Sequence, residues 1–370
     1  MKTDVAIIGG GIIGASIAME LAARRLNVAL FDRQTPGREA SWAAAGMLSP
    51  TPDGLPAIPL IPLARESLRL YPDFVGAVEQ ASCRTADFER GGALHLFLGE
   101  NGAGERDTVV AQYRSLGLSI DPLPLDEARR REPAIGPLIS AAAWNPDEAR
   151  VDPRQLTSAI LVAAQELGAH IRHDAPVAKL LLAANRCAGL ALASGEEIPA
   201  SFVVLAAGSF SAGILGAAAP RLAPTRPVRG QMLALRTKGQ PLRHVLRSDR
   251  AYLVPRKDGR IIAGSTLEDA GFEKCVTPAG VQSILSAVVE MAPELALAEI
   301  LETWSGLRPG TPDELPILGP SNIEGLIVAT GHYRNGILLA PVTAKLVREW
   351  IVEGKTSFDA SAYSPLRFAR

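Results

Sequence analysis

The chain opens on Thr3-Asp-Val-Ala-Ile-Ile and runs straight into Gly9, Gly11 and Gly14, spaced as GxGxxG. An apolar run ending in glycines so placed dictates a strand, a tight turn and a helix. Gly9 allows the turn, Gly11 lets a phosphate group approach the main chain, and Gly14 lets the helix pack closely on the sheet. The helix N-terminus then presents N–H groups and the positive end of its dipole to the phosphates. The spacing predicts a helix over 12–25, with Ile13, Ile17 and Leu21 on one face, and a second strand over 27–31 that ends at Asp32. A carboxylate at that point takes ribose hydroxyls and leaves no room for a 2′-phosphate. The pattern therefore points to FAD or NAD rather than NADP.

The 370 residues exceed what one hydrophobic core usually serves, so about two domains are expected. Lys plus Arg (38) nearly balances Asp plus Glu (39), with no clustered basic stretch, which argues against nucleic acid as a partner. No run approaches the ~20 uncharged apolar residues of a membrane span. The apolar N-terminus contains the phosphate loop, so it reads as a strand and not as a signal peptide; the cytoplasm is the expected location. Cys83, Cys187 and Cys275 lie far apart with no metal-ligand or CxxC spacing, and the five histidines form no cluster beyond His170 and His173, so no metal is expected.

After the second strand, five prolines between 50 and 62 predict an extended loop, followed by a helix over 63–80. Residues 86–149 read as an insertion with strands at 93–98 and 139–144. A helix over 153–167 and strands at 169–173, 177–182, 188–193, 197–199 and 201–206 return to the α/β layout. From 226 to 262 the chain is strand-rich, with 231–235, 251–255 and 260–264 as the clearest segments and a helix over 278–291 covering one face; 303–310, 325–330 and a helix over 336–352 are expected to close the first domain. The fold class is thus α/β, or α+β overall. A Rossmann-like domain (1–85, 150–225 and 303–370) would join a mainly antiparallel-sheet substrate domain (86–149 and 226–302).

Besides the glycine fingerprint, the chain carries SWAAAGML at 41–48, VDP at 151–153, VLAAG at 204–208, VRGQM at 228–232, YLVPR at 252–256, GLRP at 306–309 and GHYRNGIL at 331–338. These motifs, in this order across the whole chain, resemble the glycine oxidase and D-amino acid oxidase family of flavoproteins, and most closely the glycine oxidase branch associated with thiamin thiazole synthesis. The resemblance implies non-covalent FAD, since no cysteine follows Cys275 to tether it. Gly9, Gly11, Ile13 and Gly14 would hold it with Asp32 and Arg33 at the adenosine end. Ser41, Ala44, Ala45, Gly46 and Met47 would lie along the pyrophosphate and flavin, with Val177 as the adenine contact and Gly208 nearby. His332, Tyr333, Arg334, Asn335, Gly336, Ile337 and Leu338 would bring N–H groups and a helix N-terminus to the flavin ring.

On the substrate side the resemblance assigns Arg308 to the amino-acid carboxylate, where a guanidinium provides two parallel donors, with Tyr252 as a third donor and Arg334 as a second arginine at the pocket. Arg250 and Leu267 fall beside these positions as further pocket candidates. No side chain is assigned as a general acid or base; hydride transfer from a positioned amine needs none. The expected reaction is oxidation of glycine, sarcosine or small D-amino acids, with dioxygen reduced to hydrogen peroxide. The imine would hydrolyse to glyoxylate or pass to thiazole synthesis, and the protein would be a homo-oligomer, tetramer or dimer. A D-amino acid dehydrogenase, a broad D-amino acid oxidase and a non-catalytic flavin-binding module are the alternatives.

Overall fold

The computed structural model describes residues 3–368 apart from 52–54, 217–218, 220 and 239–241. Its first sheet runs in the order Ile317–Pro320, Leu326–Thr330, Glu197–Leu205, Thr3–Ile8, Val28–Phe31, His170–Arg172. From Leu326–Thr330 onward every pairing is parallel, while Ile317–Pro320 joins antiparallel. Alternation along the strands divides their side chains between two cores. Val5, Ile7, Leu30 and Val204 meet helices Ile12–Ala22, Ile61–Ser82, Pro153–Glu166 and Gly336–Val352. Ala6, Ile8, Phe31 and Leu205 meet a hairpin, Val177–Ala183 with Arg186–Leu192, on the other face.

The second sheet has eight strands in the order Glu299–Gly310, Arg226–Arg236, Arg260–Gly264, Tyr252–Pro255, Val245–Arg247, Ala93–Leu98, Ile139–Asn145, Asp121–Leu123. All neighbours are antiparallel except Val245–Arg247 with Ala93–Leu98. Helix Pro278–Met291 buries one face of it, and the other face turns toward the first sheet across the segment that contains Ala43 and Ala45. Thr303–Gly310, expected in the first domain, belongs instead to the edge strand of this sheet, because it pairs with Arg226–Arg236 along that strand's length.

The proline-rich stretch is not the extended loop expected of it. Leu55–Leu60 forms a short 3-10 helix that leads into helix Ile61–Ser82, whose first turn accepts Pro62 without losing a hydrogen bond; Pro52 lies outside the described residues. Helix Ile61–Ser82 also repairs a defect in its neighbour. Pro341 has no N–H to give the Ile337 carbonyl, and that oxygen accepts instead from the buried Tyr71 hydroxyl at 3.0 Å. Ser67 donates to the next carbonyl, Leu338, at 2.6 Å and accepts from Val342 N–H at 3.4 Å. A proline near the start of the last helix is thereby tolerated close to its cavity-facing end.

Candidate functional site

One elongated cavity of about 470 Å³ lies between the two sheets. At its first end Gly9 adopts φ +103°, and a Cβ there would sit 2.5 Å from the Ala206 carbonyl oxygen; a Cβ on Gly14 would meet the Gly9 oxygen at 1.9 Å. Only glycine fits either position. Gly9, Gly11 and Ile13 line the cavity, whereas Gly14 is packed beneath the turn. Ser41 Oγ accepts from the Ile12 N–H at 2.9 Å, so the helix N-terminus is already polarised toward this wall.

Asp32 also lies on the wall. Its two carboxylate oxygens accept from Gly10 N–H at 2.7 Å and Gln34 N–H at 3.0 Å. Burial raises its pKa, against the pull of those two N–H groups. Arg33 stacks 3.6 Å over the Phe210 ring and pairs with Glu39. Val177 and Gly208 complete this end. In the middle, the small side chains and main chain of Ala44, Ala45 and Gly46 form a wall together with Met47. His332, Tyr333, Arg334, Asn335, Gly336 and Ile337 face it from the start of the last helix. Leu338 does not reach the cavity: its side chain is in the helical core. His332 is buried, with Nε2 3.0 Å from Thr343 Oγ1, and burial pushes its pKa down to about 3, so the ring is neutral at physiological pH.

At the far end the second sheet supplies Arg308 and Tyr252. The Arg308 guanidinium donates to Ser265 Oγ at 2.7 Å and to the Thr266 carbonyl at 3.3 Å. It lies directly over Gly230, where a Cβ would come within 2.2 Å of Nη1. Tyr252 Oη is 3.3 Å from Met232 Sδ. Arg250 and Leu267 do not line the cavity. Arg250 pairs with Glu290 at the surface, and Leu267 is 61% exposed.

The structure adds a cation to the wall that the motifs did not single out. Arg247 pairs across strands with Tyr252 and so shares its face of the sheet. Its Nη1 lies 3.0 Å from Ser49 Oγ, 3.2 Å from Thr51 Oγ1 and 3.0 Å from Glu148 Oε1. His95 Nε2 meets the same Glu148 oxygen at 2.8 Å. Burial acts to raise the pKa of Glu148, but the charges of Arg247 and His95 and the hydrogen bonds to it outweigh burial and hold it at about 2. The only local signal for Arg247 was a cation at the end of a three-residue apolar strand.

A glycine cradle backed by a helix N-terminus, an acid on the adjoining strand, and a long cavity that ends at an arginine and a tyrosine on a facing sheet together define a dinucleotide-dependent oxidoreductase. The sequence profile of the family described as FAD dependent oxidoreductase matches residues 4–350, and the chain belongs to that family. FAD is accordingly its cofactor, and the small residues 44–46 leave it room. The chain is 36% identical over 99% of its length to the bifunctional protein ThiO/ThiG of Synechocystis, of which it spans 54%, so it covers about half of that relative. It is 33% identical to the glycine oxidase of Geobacillus kaustophilus over 99% of this chain and 97% of that one. The crystal structure of glycine oxidase from Bacillus cereus superposes with a TM-score of 0.90 at 33% identity, covering 96% of each chain. No helix among the described residues is long and apolar enough to cross a membrane, and none of their His, Cys, Asp and Glu side chains group as a metal site.

Proposed function

We propose that the protein oxidises glycine and comparably small amino acids, sarcosine and small D-amino acids among them, with dioxygen as the final acceptor. The observation that carries this reading is Arg308 over Gly230, with Tyr252 on the same wall, in the cavity that also holds the glycine turn. Gly9, Gly11, Ile13, Asp32, Arg33, Ser41, Val177 and Gly208 hold the adenosine and pyrophosphate. Residues 44–47 and 332–337 hold the ring, with the dipole of the last helix directed at it, and Gly14 and Leu338 support these segments from behind. Bound non-covalently, FAD supplies the two-electron acceptor.

Arg308 grips the substrate carboxylate with two parallel donors, Tyr252 adds a third and Arg334 a second cation, which fixes the Cα hydrogen relative to the ring. No protein base is assigned: His332 is neutral but bonded to Thr343, and the substrate amine enters unprotonated. Glycine loses a hydride from Cα and a proton from nitrogen to give iminoacetate. Water converts that to glyoxylate and ammonia, and dioxygen takes the two electrons and two protons as hydrogen peroxide. In this reading the imine also serves thiazole synthesis, the enzyme works as a cytoplasmic homo-oligomer, and the unit that holds FAD is the discontinuous one built on the first sheet. The similarity to glycine oxidase and to ThiO/ThiG supports the substrate class.

The test is anaerobic mixing with glycine, sarcosine, D-alanine and D-proline while flavin absorbance is followed, and then oxygen uptake with no added acceptor. Bleaching by glycine together with oxygen uptake is expected. Bleaching without uptake would make the protein a dehydrogenase, and reduction only by bulky D-amino acids would refute the small-substrate reading.

A further inference from the structure

The strip of main chain that walls the middle of the cavity is held from behind at two consecutive carbonyls. Gly46 has φ +78°, and a Cβ there would lie 2.0 Å from the Val151 carbonyl oxygen, so the chain is pressed against Val151 as only glycine permits. The Gly46 carbonyl accepts from the Val151 N–H at 2.9 Å. The Ala45 carbonyl accepts from Nη2 of Arg256.

Arg256 is 2% exposed and stands outside the cavity wall, just past strand Tyr252–Pro255. Asp152 faces its Nε at 3.8 Å, and Arg150 ties the preceding carbonyl, Pro255, in place. Burial pushes its pKa down to about 10, which leaves it a cation at neutral pH. Burying a cation costs stability that a well-packed apolar side chain would not. What the guanidinium accomplishes is an orientation. Across a trans peptide the N–H points opposite to the C=O, so with the Ala45 oxygen turned back onto Arg256, the Gly46 N–H is turned toward the cavity that Gly46 lines. Among the described residues no backbone carbonyl accepts from it.

We propose that Arg256 is a positioning residue for the flavin: through the Ala45 carbonyl it fixes the 45–46 peptide so that the Gly46 N–H is presented to the bound ring. The guanidinium polarises the peptide from its oxygen side, which strengthens the donor at its nitrogen side. A ring that has accepted electrons is the better hydrogen-bond acceptor, so a fixed donor stabilises the reduced form more than the oxidised one.

The experiment is the midpoint potential of bound FAD, read by anaerobic equilibration with a reference dye, and it needs no amino-acid substrate. In Arg256→Met, loss of one oriented donor should lower the two-electron equilibrium constant about tenfold, a fall of about 30 mV, with FAD still bound. Arg256→Lys, which keeps a charge and one donor, should recover part of it. Arg260→Gln removes a neighbouring cation that donates to Asp152 and should leave the potential unchanged. An unaltered potential in Arg256→Met overturns the proposal. An equal fall in Arg260→Gln does so too, because it would assign the effect to charge at a distance. If Arg256→Met does not hold FAD, Arg256→Gln is read in its place, and loss of FAD in both assigns Arg256 to folding and overturns the proposal as well.

Discussion

Replacing Gly230 by alanine tests whether the Arg308 guanidinium is the substrate clamp. The added Cβ would lie 2.2, 2.3 and 2.5 Å from Nη1, Nη2 and Cζ of Arg308, whereas non-bonded heavy atoms settle near about 3.5–4.0 Å. The guanidinium must therefore move by more than about 1 Å, which breaks its 2.7 Å bond to Ser265. It is the far end of a flexible side chain, so the fold has little to lose. The substrate has much more at stake, since each hydrogen bond to a charged group contributes about 1.5–3 kcal/mol. Misplacing the fork should lower kcat/KM for glycine roughly tenfold to a hundredfold, mostly through KM if the lost binding is shared by ground and transition states. The assay is oxygen uptake against glycine concentration, with FAD content from the absorbance spectrum and thermal unfolding measured on the same preparation. Full FAD, an unchanged unfolding temperature and a large rise in KM are expected. Unchanged kinetics in a fully loaded Gly230→Ala protein would show that the carboxylate is held elsewhere, with Arg334 the first alternative.

Three further outcomes are expected. Tyr71→Phe leaves the Ile337 carbonyl without the donor that replaces the missing Pro341 N–H, so urea unfolding should show a loss of about 1–3 kcal/mol, and FAD should dissociate faster because the cavity-facing start of that helix loosens. Burial lowers the His332 pKa from 6.5 to about 3, so the unfolded chain binds the extra proton first: its contribution is complete above pH 6.5 and is lost as pH falls toward 3. His332→Asn should flatten stability between pH 6.5 and 4.5, above the window in which Glu148, held near 2 from 4.5, is lost; an unchanged slope would refute this. Arg247→Met strips the buried Glu148 of a cation and should cost about 3–5 kcal/mol at pH 7 by denaturant titration. The deficit should shrink on acidification as Glu148 becomes able to protonate, and a pH-independent deficit would count against the pairing.

What could be read from the chain in advance was whatever a few neighbouring residues decide. Strand Ala93–Leu98, helix Pro278–Met291 and helix Gly336–Val352 begin and end where expected, because proline, glycine and threonine mark their starts and the apolar period shows the rest. Gly14 is legible for the same reason, since its Cβ would strike the Gly9 oxygen inside the turn; Gly9 is legible from the φ of +103° that the turn demands, although the atoms its Cβ would strike belong to the distant Ala206 and Ala207. Thr303–Gly310 was misplaced because sheet membership is decided by a partner far away in the chain, and nothing inside GLRP says that Gly306 lies opposite Gly230. Arg250 was raised as a candidate because it lies two residues from Tyr252. Yet alternation and pairing put Arg247 on the Tyr252 face and leave Arg250 on the surface with Glu290. The same pairing explains why the motifs VRGQM and GLRP need their glycines. A Cβ on Gly230 would strike Arg308, and one on Gly306 would strike Ala43 at 2.4 Å. Two facing glycines thus clear one patch of the sheet, so that the Arg308 guanidinium can lie flat on it and the segment leading to Ala45 and Gly46 can cross it. Arg308 and the segment at Ala43 are therefore held at a common spacing by the absence of two side chains, and bulk added at either glycine should disturb one of them without unfolding the protein.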